Sequence, residues 1–396
     1  MLKRIKITNL LSFGDPGLDL ELRPLNVLIG PNGSGKSNLI DALSLLRCAP
    51  SEIDRPMRES GGITEWIHKA ASGASATLDA VHVPQAGHQM PLRHLVRFRA
   101  NGGRCEIQSE RVETERPIGN HRDPFYYYRF DGSTAVVKVE ILPSEDLDQH
   151  RWMDTRVALT DVATNASALS QYRGGVYPQL SHLSENYEKV RLFRDWHFGR
   201  SSQQRKAQSS GGRSDYLEED GTNLGMVLKR MRLNVPVKKK VIEALRQLRS
   251  EIEDLDFQIE SQTVEIVIQE RDFAVPASRL SDGTIRYLWL LAILLDPEAR
   301  GLVCIEEPEL GLHPDLLPSL AKLMIEASGR MQLIVTTHSD IIIDALSETP
   351  ESVVVCERHD GQTTMRRLVE SELTDWLKDY RLGQLWTKGS IGGNRW

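Results

Sequence analysis

Residues 30–37 read GPNGSGKS. They follow the apolar run LNVLIG and precede SNLIDALSLLRCA, whose apolar residues recur at helical spacing. A buried strand, a glycine-rich turn ending in lysine and serine, then a helix: this is the setting in which G-x-x-x-x-G-K-S forms a phosphate-binding loop. It places the turn at the C-terminal edge of a strand in a mainly parallel sheet. Each residue type has a physical reason. Gly33 and Gly35 let backbone N–H groups close around phosphates. The helix beginning near Lys36 points its positive end at them. Lys36 reaches the β- and γ-phosphates, and the Ser37 hydroxyl ligates Mg²⁺. Asn32, Gly33, Ser34, Gly35, Lys36, Ser37 and Asn38 are therefore the expected nucleotide-binding residues.

Two later runs supply the rest of such a site. GLVCIEEPELGLHP, residues 301–314, is an apolar strand ending in paired carboxylates. Beside a phosphate-binding loop, Glu306 is expected to hold Mg²⁺ through its water shell. Glu307 is expected to orient or deprotonate an attacking water. LIVTTHSD, residues 333–340, is a second apolar strand, and His338 at its end is placed to reach a γ-phosphate across the sheet edge. The expected catalytic set is Lys36, Glu307 and His338, with Ser37 and Glu306 as metal ligands.

The 396 residues are 40% hydrophobic and 26% charged, a globular composition with material for a sizeable core. Net charge is −6, so any nucleic-acid contact must be local. Cys48, Cys105, Cys304 and Cys356 lie far apart with no CxxC spacing, which argues against a zinc site or a disulfide framework and fits a reducing, cytoplasmic setting. No apolar run approaches membrane-spanning length, and the start MLKRIKITNLLSFGD lacks leader character. Along the chain, residues 2–29 read as strands. Residues 76–140 read as an antiparallel sheet of several strands parted by Gly, Asn and Pro. Residues 160–198 read as mainly helical. The polar stretch RSSQQRKAQSSGGRSD, residues 200–215, reads as a mobile loop. Helix resumes at 223–255 with a break near Pro236, and from 278 onward helix and apolar strand alternate in α/β rhythm.

Between these motifs lies SRLSDGTIRYLWLLAILL, residues 278–295, a short polar turn opening an apolar helix. The order GPNGSGKS, LSDGT, VCIEEP, TTHS resembles the ATP-binding-cassette ATPases. Within them it is most similar to the soluble branch that holds the heads of SMC proteins, RecF and the OLD-type ATPases, many of them labelled AAA. The resemblance covers the first 50 residues and residues 270–345, and the C-terminal YRLGQLWTKGSIGGNRW looks like the tail of a group of bacterial ATPases in that branch. It implies an α/β P-loop NTPase head with an antiparallel β subdomain and a mixed, mainly helical inserted lobe. It implies ATP and Mg²⁺ as cofactors, and a signature turn, Ser281 and Gly283, that caps the γ-phosphate held by a second copy of the chain. The expected partner is thus the chain itself, as an ATP-dependent homodimer. The usual LSGG reads LSDG here, with Asp282 at the first glycine, which puts trans contacts by residue 282 in doubt. A Q-loop is not evident, and Gln108 and Gln171 are the candidates.

Ser37 and Leu280 stand more than two hundred positions apart, so a large compact lobe is inserted; no heptad run suggests an arm. The division this suggests is 1–160 for the N-terminal ATPase lobe, 161–270 for the inserted lobe, 271–350 for the C-terminal ATPase lobe, and 351–396 for a last strand and tail. Two basic clusters in the insert are candidates for a phosphate backbone. They are Arg191, Arg194, Arg200, Arg205, Lys206 and Arg213, then Lys229, Arg230, Arg232, Lys238, Lys239 and Lys240, with the aromatics of FRDWHFG nearby. The strand VVVCERHDGQ, with Glu357, resembles the start of the nuclease domain that OLD proteins carry. No further acidic cluster follows it, so a functional nuclease within this chain is not expected, and a separate nuclease or effector subunit is a candidate partner. Three roles are therefore in view: DNA repair, DNA sensing or anti-phage defence; an ATP-gated switch for a separate nuclease or toxin effector; and, as the weakest, a transporter ATPase.

Overall fold

The structure, a computed structural model, describes residues 1–71, 75–83, 90–118, 121–141, 151–157, 162–197 and 199–393. The first sheet is antiparallel and has eight strands in the order β2-β1-β4-β5-β6-β7-β8-β9. These are β1 (Leu2–Thr8), β2 (Leu18–Glu21), β4 (Ala76–His82), β5 (Leu92–Asn101), β6 (Arg104–Pro117), β7 (Pro124–Phe130), β8 (Ala135–Ile141) and β9 (Arg151–Val157). Its alternating inward residues, among them Ile5, Ile7, Leu78, Val96, Phe98 and Val112, pack on the helix Lys36–Cys48 through Leu39, Leu43 and Leu46.

The second sheet carries the motifs. Its order is β10-β15-β16-β3-β17-β18, from β3 (Leu25–Ile29), β10 (Arg191–Phe193), β15 (Leu302–Glu306), β16 (Gln332–Thr336), β17 (Val353–His359) and β18 (Gln362–Arg367). The first five run parallel, and β18 turns back on β17. β3 and β16 are buried throughout, as near-continuous apolar runs in a covered parallel sheet must be. With Val27 opposite Val335 and Ile305 opposite Val335, the ends of β3, β15 and β16 arrive together at one edge. A third small sheet joins β11 (Gln208–Ser209), β12 (Ile252–Glu260), β13 (Thr263–Glu270) and β14 (Phe273–Pro276).

The helix Asp282–Leu295 is buried on every side from Thr284 to Leu295. It is apolar all round because it lies between the parallel sheet and the helices Leu224–Arg232 and Val235–Leu248. Those two are separate helices. Leu233 ends the first, and the Asn234 side chain caps the second by accepting from Val237 N–H, with Pro236 in its first turn.

Three expectations change. The 160–198 stretch holds two helices, Ala168–Gln171 and Pro178–Glu188, but also β10, a three-residue strand too short to show alternation. The 200–215 stretch, read from composition as a loop, holds short elements and buried contacts. It forms a 3₁₀ turn at Gln203–Arg205 and pairs β11 with β13, and the Gln208 side chain accepts from Gly225 N–H. The insert is not one lobe: Ala168, Leu180, Leu183 and Tyr187 join the core of the antiparallel sheet, while Leu224, Val241, Ile252 and Ile266 join that of the parallel sheet.

Candidate active site

The loop at residues 30–37 leaves β3 with Gly30, Gly33 and Gly35 all at positive φ. Gly35 is obligatory on a second count, since a Cβ there would lie 2.1 Å from the Thr363 hydroxyl. That hydroxyl, from β18, donates to Ser34 O (2.9 Å) and pairs with Ser12 Oγ (2.6 Å), to which the Asn38 amide also donates (2.6 Å). The loop is thus braced from two distant segments. Lys36 arches over it, its Nζ donating to Gly30 O (2.8 Å) and Pro31 O (3.0 Å). Burial lowers its pKa, opposed by neighbours that include Glu307 and Glu306. Ser34 Oγ is buried without a partner. A cation resting on weak carbonyl acceptors and an unpartnered buried hydroxyl in a cradle of positive-φ glycines fit a polyphosphate.

Glu306 ends β15 with its carboxyl near the Ser37 hydroxyl and 3.4 Å from Arg194 Nη2. Burial pushes its pKa up, and Arg194 and Ser37 hold it back. The adjacent hydroxyl and carboxylate are the donor set Mg²⁺ prefers. Glu307 follows at φ 47°, a left-handed conformation uncommon for a glutamate. Its N–H donates to Thr336 O (3.0 Å) and Oγ1 (3.2 Å), while its carbonyl accepts from Arg286 Nη2 (2.6 Å) and Leu310 N–H (3.1 Å). So held, its half-exposed carboxylate comes within 3.6 Å of His338 Nε2. The edge therefore brings together Lys36, Ser37, Glu306, Glu307 and His338.

Several contributors were not assigned to this site from the sequence. Glu309 accepts from Thr337 Oγ1 (2.8 Å) and His338 N–H (2.7 Å), fixing the turn that carries His338; burial raises its pKa. Trp196 Nε1 donates to Glu306 O (2.8 Å), and the Arg286 guanidinium stacks on the Trp196 ring at 4.3 Å. Arg194 joins Asp41 to Glu306. Burial pushes the Arg286 pKa down to about 10. Arg194 and Trp196 come from FRDWHFG, where their nearness to β15 was invisible because β10 was. Glu309 was visible only as a third acid in EEPE. Thr363 had no local signal at all. Gln108 and Gln171 are engaged elsewhere, with Ser75 Oγ and with Ala166 O.

Ser281 and Asp282 lie exposed at the start of their helix, and Ser281 Oγ accepts from Thr284 N–H at 3.1 Å as an N-cap. At Gly283 a Cβ would approach Gly311 O to 2.8 Å, so the turn abuts the loop that follows Glu307. The basic clusters are largely neutralised. Arg194, Arg205, Arg213, Arg230, Arg232, Lys238 and Lys240 all pair with carboxylates, and Arg191 lies over Tyr216. Among the described residues, Arg200, Lys206, Lys229 and Lys239 have no such partner. The tail packs on its own chain: Leu382, Leu385 and Ile391 are buried, and the Gly393 N–H donates to Glu357 (3.0 Å). No helix among the described residues is long and apolar enough to cross a membrane.

The model of a family described as "AAA domain, putative AbiEii toxin, Type IV TA system" matches residues 25–67 and 178–344, a little over half of the chain. The chain belongs to this AAA family. Its match spans the phosphate loop, β10, the turn at residues 280–283, both acids and His338, and leaves out every strand of the antiparallel sheet. Among solved structures, this AAA-family chain is similar to a crystal structure of the SmcHead bound to the C-winged helix domain of ScpA. The TM-score is 0.58 at 13% identity, over 94% of this chain and 99% of that one. It is also similar to an Smc head domain with an extended coiled coil bound to the C-terminal domain of ScpA, derived from Pyrococcus furiosus. There the TM-score is 0.55 at 12% identity, over 96% of this chain and 98% of the other. The fold is that of SMC-head P-loop ABC-type ATPases. No curated protein matches the chain.

Proposed function

We propose that this AAA-family ATPase binds ATP·Mg²⁺ and closes head to head with a second copy. In this reading Asn32, Gly33, Ser34, Gly35, Lys36, Ser37 and Asn38 hold the nucleotide. Ser37 and Glu306 hold Mg²⁺, Glu307 takes the proton of the attacking water, and His338 contacts the γ-phosphate. Ser281 and Gly283 serve the partner's ATP through the helix N-terminus behind them. The observation that carries the reading is the held geometry of Glu307: four hydrogen bonds at its own N–H and carbonyl, two of them with side chains, maintain a strained conformation that sets its carboxylate beside His338.

For the output we favour control of a protein effector over DNA sensing. The pairing of basic residues in 191–240 supports this, because cations already facing carboxylates neutralise few phosphates and so release few of the counterions condensed on DNA. Both Smc heads of similar fold were solved with a protein domain bound, and the family description names a toxin of a toxin–antitoxin system. A cytoplasmic setting fits the four buried, unpaired cysteines. The test is steady-state ATP turnover. Lys36→Ala should abolish nucleotide binding. Glu307→Gln should keep binding while lowering turnover about 10²-fold or more, the scale of a lost general base. Turnover undiminished in Glu307→Gln would remove the base assignment.

A further inference from the structure

Arg205 lies within the polar, Ser/Gly/Gln-rich stretch, yet its side chain is only 7% exposed. The 3₁₀ turn that carries it is tied down by the Gln204 amide, which donates to Asp220 O. From there the guanidinium makes three contacts on one short segment. Nη1 donates to the carbonyls of Leu280 and Ala277, and Nη2 donates to the Asp282 carboxylate. The same Asp282 oxygen accepts from Gly199 N–H at 3.1 Å. The three acceptors bracket Ser281, two before it and one after. A planar fork of donors can span them; a single ammonium cannot.

The arrangement explains the acid at position 282. Asp282 stands in the first turn of its helix, where the dipole favours a negative charge. Its hydrogen bond to Arg205 holds its pKa below the usual carboxylate range, so it stays charged. Left alone, that charge would oppose an incoming γ-phosphate. Here it is drawn against Arg205 and the Gly199 amide.

We propose that Arg205 and Asp282 form a clamp that sets the turn at residues 280–283 in the shape that presents Ser281 and the helix N-terminus to a partner's nucleotide. Arg205 is then a positioning residue for a site completed in the second subunit. The clamp rests on the head-to-head reading above. Its effect belongs to the ATP bound by the opposite chain, which a merely structural role would not produce.

The experiment mixes two inactive chains. Lys36→Ala binds no nucleotide but has an intact turn; Ser281→Arg binds nucleotide but has a spoiled turn. If sites are shared, the mixture regains turnover at one composite site. Arg205→Met is then added to one chain at a time. On the Lys36→Ala chain, whose turn is in use, it should lower the regained turnover about tenfold or more below its effect on the Ser281→Arg chain, as small misplacements of binding groups do. Arg205→Lys, which keeps a cation in the seat, should retain the parent's melting midpoint and show the same dependence on chain. If the mixture regains nothing, the shared site fails and the clamp with it. If turnover returns but Arg205→Met and Arg205→Lys act equally on either chain, the shared site stands and the clamp is overturned.

Discussion

Single residues carry the site by being over-determined. Thr363 illustrates this: one hydroxyl meets Ser34 O and Ser12 Oγ, and occupies the space that makes residue 35 a glycine. Thr363→Val keeps the shape and removes the bonds. Leaving a buried carbonyl short of a donor costs about 1–3 kcal/mol. The protein should stay folded while ATP affinity falls about tenfold in a fluorescent-nucleotide titration; unchanged affinity would mean the brace is idle. A second buried group gives a pH signature. His82 contacts Tyr187 Oη, which also meets His94, and His94 meets Glu110. Burial drives the His82 pKa well below its ordinary 6.5, with the nearby N-terminus, His94 and His182 adding repulsion. The folded chain therefore binds fewer protons here than the unfolded one. The contribution to stability is fully present above 6.5 and is lost as pH falls below it, at up to about 1.4 kcal/mol per unit. Denaturant midpoints from pH 7 to 5 should fall, and His82→Phe should flatten part of that slope. Identical slopes would show that His82 is not the group titrating.

At the scale of elements, the parallel sheet ends in β10, three residues long and short of partners on its outer side. Glu219 covers that edge, accepting from Leu192 N–H (2.6 Å) and Arg47 Nη1 (2.7 Å). Because β10 leads directly to Arg194 and Trp196, the cap also steadies the approach to Glu306. Glu219→Ala should cost about 1–3 kcal/mol, read as a lower melting midpoint. A midpoint within error of the parent's would show that the edge needs no cover. What the sequence disclosed at this scale follows the length of its signals. The phosphate loop, β15 and β16 were legible because each joins an apolar strand to polar residues fixed by chemistry. β10 was not, since three residues show no period. In the 200–215 stretch, composition reports what a segment lacks in apolar mass. It does not report that Arg205 and Gln208 reach buried partners. The contacts of Arg286, Glu309 and Thr363 are tertiary, made between segments separated in the chain, and no local pattern encodes them.

At the scale of the whole molecule, the two sheets share the helix Lys36–Cys48, one end of which opens at the phosphate loop while its flank fills the antiparallel core. Acids match most of the cations that were candidates for DNA. With a net charge of −6, duplex DNA should bind no tighter than about 10⁻⁴ to 10⁻⁶ M at physiological salt, the non-specific range. Fluorescence anisotropy would show this, and a nanomolar, steeply salt-dependent complex would return DNA to the centre of the function. The reading stands or falls on closure of two heads around ATP. Light scattering on Glu307→Gln, with and without ATP·Mg²⁺, addresses it directly. Removing the base should trap the closed form, so the mass should double when nucleotide is added and return when it is washed out. A mass that does not respond to ATP, while nucleotide is shown to be bound, would mean that this chain does not close on itself.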